Sequence, residues 1–202
     1  MRKWIIMLPC LFFSGIKIIA QQVFKLAKEK DGIRIWVGSV SGSSYFAFKA
    51  EMSLEASEAD IVKILKDVRR YPDWFAFTSS VKLISQNETN QQFVLETDYP
   101  WPYANECMQF TMNFDAKKDN KRIITITGNN SATNCKFTLK KASGFILLEQ
   151  KGGNTTITYY FHSEPSQKIP SWLINPRIHE MPFQTFLALK RIVLLNQRPF
   201  LK

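Results

Sequence analysis

Hydrophobic and polar residues alternate over most of the second half of the chain, with a period of two. Such alternation is typical of β-strands with one buried face. Met108, Phe110 and Met112, for example, are separated by polar residues, so that strand has a strongly apolar face. The pattern predicts strands at 33–37, 45–54, 81–85, 91–97, 107–116, 122–127, 135–142, 145–150 and 155–163. Clusters of Asn, Asp and Gly divide the later runs, which indicates an antiparallel meander.

Three other segments have helical rather than strand-like spacing. Residues 57–68 begin with a capping-box-like Ser57 and Asp60 and place apolar residues on one face. Residues 182–195 predict a long final helix, and residues 21–29 predict a short first one. Two strands, a helix, a meander and a last helix form an α+β order. We therefore expect a strongly bent sheet that wraps around the C-terminal helix.

The N-terminus has the pattern of an export signal. A positive start is followed by an apolar run over 4–15, too short for a membrane-spanning helix, and Ala20 precedes an acceptable cleavage point. We predict a signal peptide over 1–20 and one domain over 21–202, exported to the periplasm or secreted. The alternative is a retained segment that anchors the protein in a membrane.

The formal charge is +10, and removal of the predicted signal with its three basic residues lowers it to +7. No dense Lys/Arg run or nucleic-acid motif accompanies this charge, so nucleic acid is not expected as a partner. An anionic membrane surface is the better partner, and the basic residues near the last helix would contact it. Those residues are Lys190, Arg191, Arg198 and Lys202. We expect a monomer.

Two cysteines remain in the predicted mature chain, Cys107 and Cys135. An even pair in an oxidising compartment is compatible with a disulfide. Two buried thiols on neighbouring strands are the alternative, and the sequence leaves both open.

Several motifs resemble those of START domains, the lipid-transfer domains related to steroidogenic acute regulatory protein. The segment 67–74 runs from an Asp at a helix end to a Trp, and 100–102 reads Pro-Trp-Pro. The segment 169–175, Ile-Pro-Ser-Trp-Leu-Ile-Asn, is similar to the signature that leads into the family's last helix, and Glu164-Pro165 precedes it. The resemblance covers roughly residues 23–195, in the family's order.

This resemblance implies the helix-grip fold: a curved antiparallel sheet wrapped around a long C-terminal helix, with an internal apolar cavity. It also implies binding, and possible transfer, of a lipid or another hydrophobic small molecule. The chain departs from the family where Asn105-Glu106 stands for Arg-Asp, where Ser166-Gln167 stands for two glycines, and where Lys136-Phe137 stands for Val-Arg. These changes remove charge and loop flexibility but leave the apolar framework in place.

The apolar candidates for ligand contact come from the sheet, the Trp motifs and the last helix. Met is an adaptable lining for a flexible ligand, and Trp and Phe supply large apolar surfaces. The predicted lipid-binding residues are Trp101, Met108, Phe110, Met112, Tyr160, Trp172, Phe183, Phe186 and Leu187. The last helix, whose Phe183, Phe186, Leu187 and Leu194 would face the sheet, is the predicted lid.

An enzyme of the same fold, such as a cyclase or hydrolase, is the main alternative to a carrier. Glu106 and His162 are possible polar cavity residues, and a carboxyl group in an apolar cavity could act as a general acid or base. No metal-ligand spacing, nucleophile motif or cofactor fingerprint is present, so no metal or cofactor is expected. A fully packed interaction domain without a cavity is the third hypothesis.

Overall fold

The structure is a computed structural model that describes residues 23–130 and 135–197. The predicted signal peptide, Arg198 and Lys202 lie outside these residues. The nine strands are β1 (Phe24–Lys30), β2 (Ile33–Ser39), β3 (Phe46–Leu54), β4 (Thr78–Gln86), β5 (Asn90–Thr97), β6 (Glu106–Phe114), β7 (Lys121–Asn129), β8 (Lys141–Lys151) and β9 (Asn154–Glu164). The helices are α1 (Glu58–Lys66), α2 (Tyr71–Trp74), α3 (Ser171–Ile174) and α4 (Glu180–Gln197). Among the described residues, none of the helices combines the length and hydropathy needed to cross a bilayer.

All nine strands form one antiparallel sheet in the order β1-β2-β3-β9-β8-β7-β6-β5-β4. The strands β4 to β9 form the predicted meander, and the last of them pairs with β3. The helices α1 and α2 connect β3 to β4, which lies at the far edge of the sheet. The α+β helix-grip prediction is confirmed.

Alternation places the apolar side chains on one face of the sheet. In β6, Met108, Phe110 and Met112 are buried, whereas Gln109 and Thr111 between them are partly exposed. The helix α4 covers this face next to β2 and β3. Its buried hydrophobic residues include Phe183, Phe186, Leu189 and Val193. The prediction that Leu194 faces the sheet is wrong, because its side chain is 52% exposed and Val193 occupies the buried position.

The first element is a strand, so the helix predicted over 21–29 is wrong where the structure describes it. The strand β1 is at the sheet edge, and its register shifts between Leu26 and Lys28, so its alternation is weak. Asp31 and Gly32, both with positive φ, connect it to β2. An Asp-Gly pair at positive φ is a strong hairpin signal, and it decides the structure here against the local helical pattern.

The segment predicted as a strand over 135–142 is mostly irregular, because β8 begins only at Lys141. Its backbone instead forms two hydrogen bonds with Cys107, whose N–H donates to Phe137 O and whose O accepts from Leu139 N, at 3.0 and 3.1 Å. A disulfide joins Cys107 to Cys135, with their Cα atoms 6.2 Å apart. The structure therefore has the disulfide rather than two free thiols.

Candidate functional site

A cavity of about 490 Å³ lies between the apolar face of the sheet and the helices. The sheet contributes aromatic and aliphatic side chains to its wall, namely Phe48, Phe93, Leu95, Phe110, Met112, Ile126, Ile146, Tyr159 and Phe161. Leu65 and Tyr71 line it from the helical side. Such a mostly apolar cavity with few polar groups is typical of a site for a small hydrophobic molecule.

Three segments surround the opening of the cavity. They are the connection 75–78 before β4, the segment 97–100 after β5, and 173–181 from α3 to the start of α4. Asp98 and Arg177 line the cavity and are exposed, so they mark its mouth. Thr185 of α4 connects the first of these segments to the last helix, because its Oγ1 accepts a hydrogen bond of 3.1 Å from Ala76 N.

The segment 169–175 sets the position of the last helix through hydrogen bonds to the start of β3. Tyr45 donates its hydroxyl to Ile169 O at 2.6 Å. The Asn175 side chain donates to Ser44 O and accepts from Phe46 N, both at 3.0 Å. Because these bonds satisfy backbone groups that sheet pairing leaves free, the segment fixes where α3 and α4 begin.

Glu106 is fully buried at the first position of β6. Its carboxylate accepts hydrogen bonds from the backbone N–H groups of Ser166 and Gln167 and from both their side chains, at 2.9–3.1 Å. Gln167 also bonds to the backbone of Ala104 in both directions. We call Glu106, Ser166 and Gln167 the carboxylate anchor. Since its donors converge on one carboxyl group, the anchor is a satisfied buried polar site.

Polar groups of the cavity wall differ in how well they are satisfied. The Tyr71 hydroxyl donates to Leu65 O at 2.7 Å, and burial raises the pKa of Tyr71 and Tyr159 far above the ordinary value. Both phenols are therefore neutral at any physiological pH. The Thr78 side chain, 8% exposed, has a buried Oγ1 without a hydrogen-bond partner in the described part of the chain.

The comparisons with known proteins agree with this geometry. The model of the START domain family matches residues 129–193. The structure of a STAR-related lipid transfer protein from Xanthomonas axonopodis superposes with a TM-score of 0.77 at 28% identity, covering 83% of this chain and 97% of that one.

The chain has the helix-grip fold of START domains.

Two curated sequences are similar to this chain at the same level of identity. An uncharacterised protein of Pseudomonas aeruginosa is 28% identical over 171 residues, which is 83% of this chain and 85% of that protein. The mouse phosphatidylcholine transfer protein is 28% identical over 167 residues, 75% of each chain.

The structure separates the predicted ligand-contact residues of this chain into three groups. Phe110 and Met112 line the cavity. Other residues are buried or half-buried in the packing around it and are not among its lining residues, namely Met108, Phe183, Phe186 and Leu187. The third group lies outside, namely Trp101, Tyr160 and Trp172.

Trp101 and Trp172 are 93% and 73% exposed, so neither covers the interior as the sequence led us to expect. Each nevertheless neighbours a cavity-lining residue, Pro100 and Leu173 respectively. The two tryptophans therefore lie on the outside next to the mouth.

Tyr160 and His162 lie on the face of β9 opposite to Tyr159 and Phe161, which line the cavity. The Tyr160 ring stacks on Phe145 with the ring centroids 5.4 Å apart. His162 Nε2 is 3.2 Å from Ser43 Oγ, and burial lowers its pKa from 6.5. The expectation that these two side chains reach the cavity is thus wrong, because strand alternation points them outward.

Sequence reasoning missed most of the cavity wall, above all Phe48, Tyr159 and Phe161. The signal that could have found the last two was present, since β9 alternates between Tyr159 and Phe161 on one face and Tyr160 and His162 on the other. Choosing the correct face requires knowing which one α4 covers. Among the described residues, no cluster of His, Cys, Asp and Glu side chains could hold a metal ion.

Proposed function

We propose that this protein is a START domain, which binds a lipid or another hydrophobic small molecule in its cavity and carries it between sites. The observation that carries the proposal is the apolar cavity of about 490 Å³ that the side chains leave unfilled. Transfer of a ligand's apolar surface from water into this space contributes about 25 cal/mol per Å². The lipid-transfer names of the Xanthomonas and mouse relatives support the same function.

Native mass spectrometry of protein purified from its host tests this proposal. We expect a co-purified hydrophobic molecule, or binding of an uncharged fluorescent lipid analogue by delipidated protein. A replacement that fills the cavity, Phe110→Trp, should weaken that binding, whereas Ile123→Ala on exposed surface of β7 should not. Protein that is always empty and binds no analogue would rule the function out.

A carrier fits the distribution of reactive groups better than a cyclase or hydrolase does. The carboxyl group of Glu106 is occupied by the donors of the carboxylate anchor, and His162 faces outward on β9. General acid–base chemistry needs such groups within hydrogen-bond reach of the substrate. Turnover of a hydrophobic substrate that is lost in Glu106→Gln while ligand binding persists would favour the enzyme instead.

We also propose that the mouth faces an anionic membrane while ligand is exchanged. Trp101 and Trp172 are exposed beside the mouth, and tryptophan is favoured at the membrane–water interface. Lys168 and Arg177 are exposed on the same segment as Trp172. By contrast, Lys190 of α4 donates to Asp31 O at 3.0 Å and is engaged within the fold.

Co-sedimentation with vesicles of phosphatidylcholine containing phosphatidylglycerol tests this contact. The double change Trp101→Ala and Trp172→Ala should reduce the bound fraction several-fold, since each tryptophan contributes its apolar area. Ile123→Ala, an exposed apolar residue elsewhere, serves as the control. Equal binding of all three proteins would exclude this surface.

We further propose that the protein works outside the reducing cytoplasm, as a monomer. The disulfide between Cys107 and Cys135 supports the compartment, because disulfides persist under oxidising conditions. N-terminal sequencing of the mature protein would distinguish a cleaved signal peptide from a retained anchor, and size-exclusion chromatography with light scattering would determine the oligomeric state.

A further inference from the structure

We infer that the cavity selects a compact, uncharged lipid with one oxygen function, a hydroxyl or a carbonyl group, that accepts a hydrogen bond from Thr78. This inference rests on the proposed function and narrows it to a class of ligand. Three independent properties of the cavity lead to it: its volume, the positions of its charged groups, and one unpaired hydroxyl.

The volume limits the size of the ligand. A volume of about 490 Å³ lies within the roughly 300–1,000 Å³ that is typical of sites for small molecules. A single long chain or a small fused-ring lipid has this size. A phospholipid with two long chains is larger than such molecules, so it would fit only if the wall moved apart.

The charges of the lining residues lie at the mouth, where water reaches them. Asp98 and Arg177 are exposed and Glu180 is partly exposed. The lining residues of the inner end are Leu65, Tyr71, Phe93 and Met112, and Tyr71 is neutral. An ion moved to that end would lose its hydration without a partner, which costs many kcal/mol. The buried part of the ligand is therefore uncharged.

The carboxylate anchor does not change this conclusion. Glu106 is buried and is not among the residues of the cavity wall. Its oxygens are already occupied by Ser166 and Gln167. The buried carboxyl group therefore offers no charge or hydrogen-bond partner to a ligand.

The unpaired hydroxyl fixes the position of the ligand's oxygen. Thr78 lines the cavity, is more than nine-tenths buried, and has an Oγ1 without a partner in the described residues. A buried polar group without a partner costs free energy, and a ligand oxygen at this point removes the cost. Because Thr78 pairs with Thr97, directly before the exposed Asp98, the oxygen lies near the mouth. The apolar body then extends toward Leu65 and Met112.

Displacement of the uncharged fluorescent probe N-phenyl-1-naphthylamine from delipidated full-length protein tests the inference. The competitors are hexadecanol, hexadecane, palmitate and dioleoyl phosphatidylcholine, each delivered from cyclodextrin. Hexadecanol should displace the probe at the lowest concentration. Equal or better displacement by palmitate or by the diacyl lipid would overturn the size and charge assignment.

The variant Thr78→Val keeps the shape of the side chain and removes the hydroxyl. It should weaken hexadecanol binding about threefold to tenfold, the range of one hydrogen bond, and leave hexadecane binding unchanged. Thr97→Val, which removes another hydroxyl of the wall, is the matched control. An equal effect of Thr78→Val on both competitors, or no effect on either, would overturn the hydrogen bond. If neither probe nor competitor binds the wild-type protein, the proposed function itself fails.

Discussion

Two buried polar sites of this protein, the carboxylate anchor and Thr78, differ in whether their polar atoms have hydrogen-bond partners. At the anchor, one carboxyl group receives hydrogen bonds from two backbone amides and two side chains. At Thr78, a buried hydroxyl has no partner among the described residues. The first site fixes the fold, because its removal leaves donors unpaired. The hydroxyl of the second forms no hydrogen bond within the described part of the fold and is available to a ligand. Both sites are buried, so burial alone does not distinguish a structural role from a binding role in this protein. Whether the buried polar atoms already have hydrogen-bond partners does.

The largest effect is expected at the anchor. Glu106→Gln places an amide NH₂ group against the donors of Ser166 and Gln167, and should lower the free energy of unfolding by about 2–4 kcal/mol. Urea unfolding followed by circular dichroism measures this change. Glu96→Gln on β5, whose carboxylate accepts from Ser80 at the surface, should cost much less. A similar loss in the free energy of unfolding for both variants would show that the carboxylate anchor stabilises the fold no more than a surface hydrogen bond does.

A smaller loss is expected at the other side of the anchor. Gln167→Ala removes the side-chain bonds to Glu106 and to the backbone of Ala104 but keeps the backbone N–H bond, and should cost about 1–3 kcal/mol. Ser166→Ala, which removes one hydroxyl bond, should cost about 1 kcal/mol. The same unfolding measurement applies, and the reverse order would contradict the role given to Gln167.

Thr78→Val should have the opposite sign. Since the hydroxyl is unpaired in the empty protein, its removal should leave stability unchanged or raise it by up to about 1 kcal/mol. Thermal unfolding of delipidated protein measures this effect. A clear destabilisation would mean that the hydroxyl is satisfied within the fold, and the contrast with the anchor would disappear.

The smallest effect is expected at His162. This side chain has a polar contact to Ser43 Oγ, and so lies between Glu106 with several hydrogen bonds and the Thr78 hydroxyl with none in the described part of the chain. Burial lowers its pKa from 6.5, so the unfolded chain takes up a proton before the folded one does. The stability associated with the neutral ring is complete above that value and is lost as the pH falls below it. Melting temperatures at a series of pH values should show a decline below pH 6.5 that is reduced in His162→Gln. An unchanged decline in the variant would assign it to other groups.

Local patterns predicted much of the sheet and little of the site. Alternation found β6 and its apolar face, because each side chain's environment there repeats every second residue. It did not find β1, an edge strand with an irregular register, although Asp31-Gly32 marked the turn. The exposed position of Trp101 depends on which side of a connection faces the cavity, and the sequence does not contain that information directly.

The carboxylate anchor is a second example of a feature that local sequence patterns could not predict. Asn105-Glu106 and Ser166-Gln167 appeared as two separate departures from the family pattern, which together suggested a loss of charge and of loop flexibility. In the structure they meet, across a separation of 60 residues, and form one hydrogen-bonded unit. The periodicity of side chains along the sequence does not reveal which distant segments contact each other. The sequence therefore could not show that these two departures form one site.

The order of strands also determines when the sheet can be fully paired during folding. The strand β3 near the beginning pairs with β9 near the end, from Ala47 with His162 to Leu54 with Thr155. Contacts between such distant segments require closure of a long loop, which slows folding relative to local pairing. During synthesis, the edge of β3 that pairs with β9 therefore stays unpaired until β9 has been synthesised. The pairing of β3 with β9 completes the wall of the cavity, so the newly made chain has no enclosed compartment before these two strands pair.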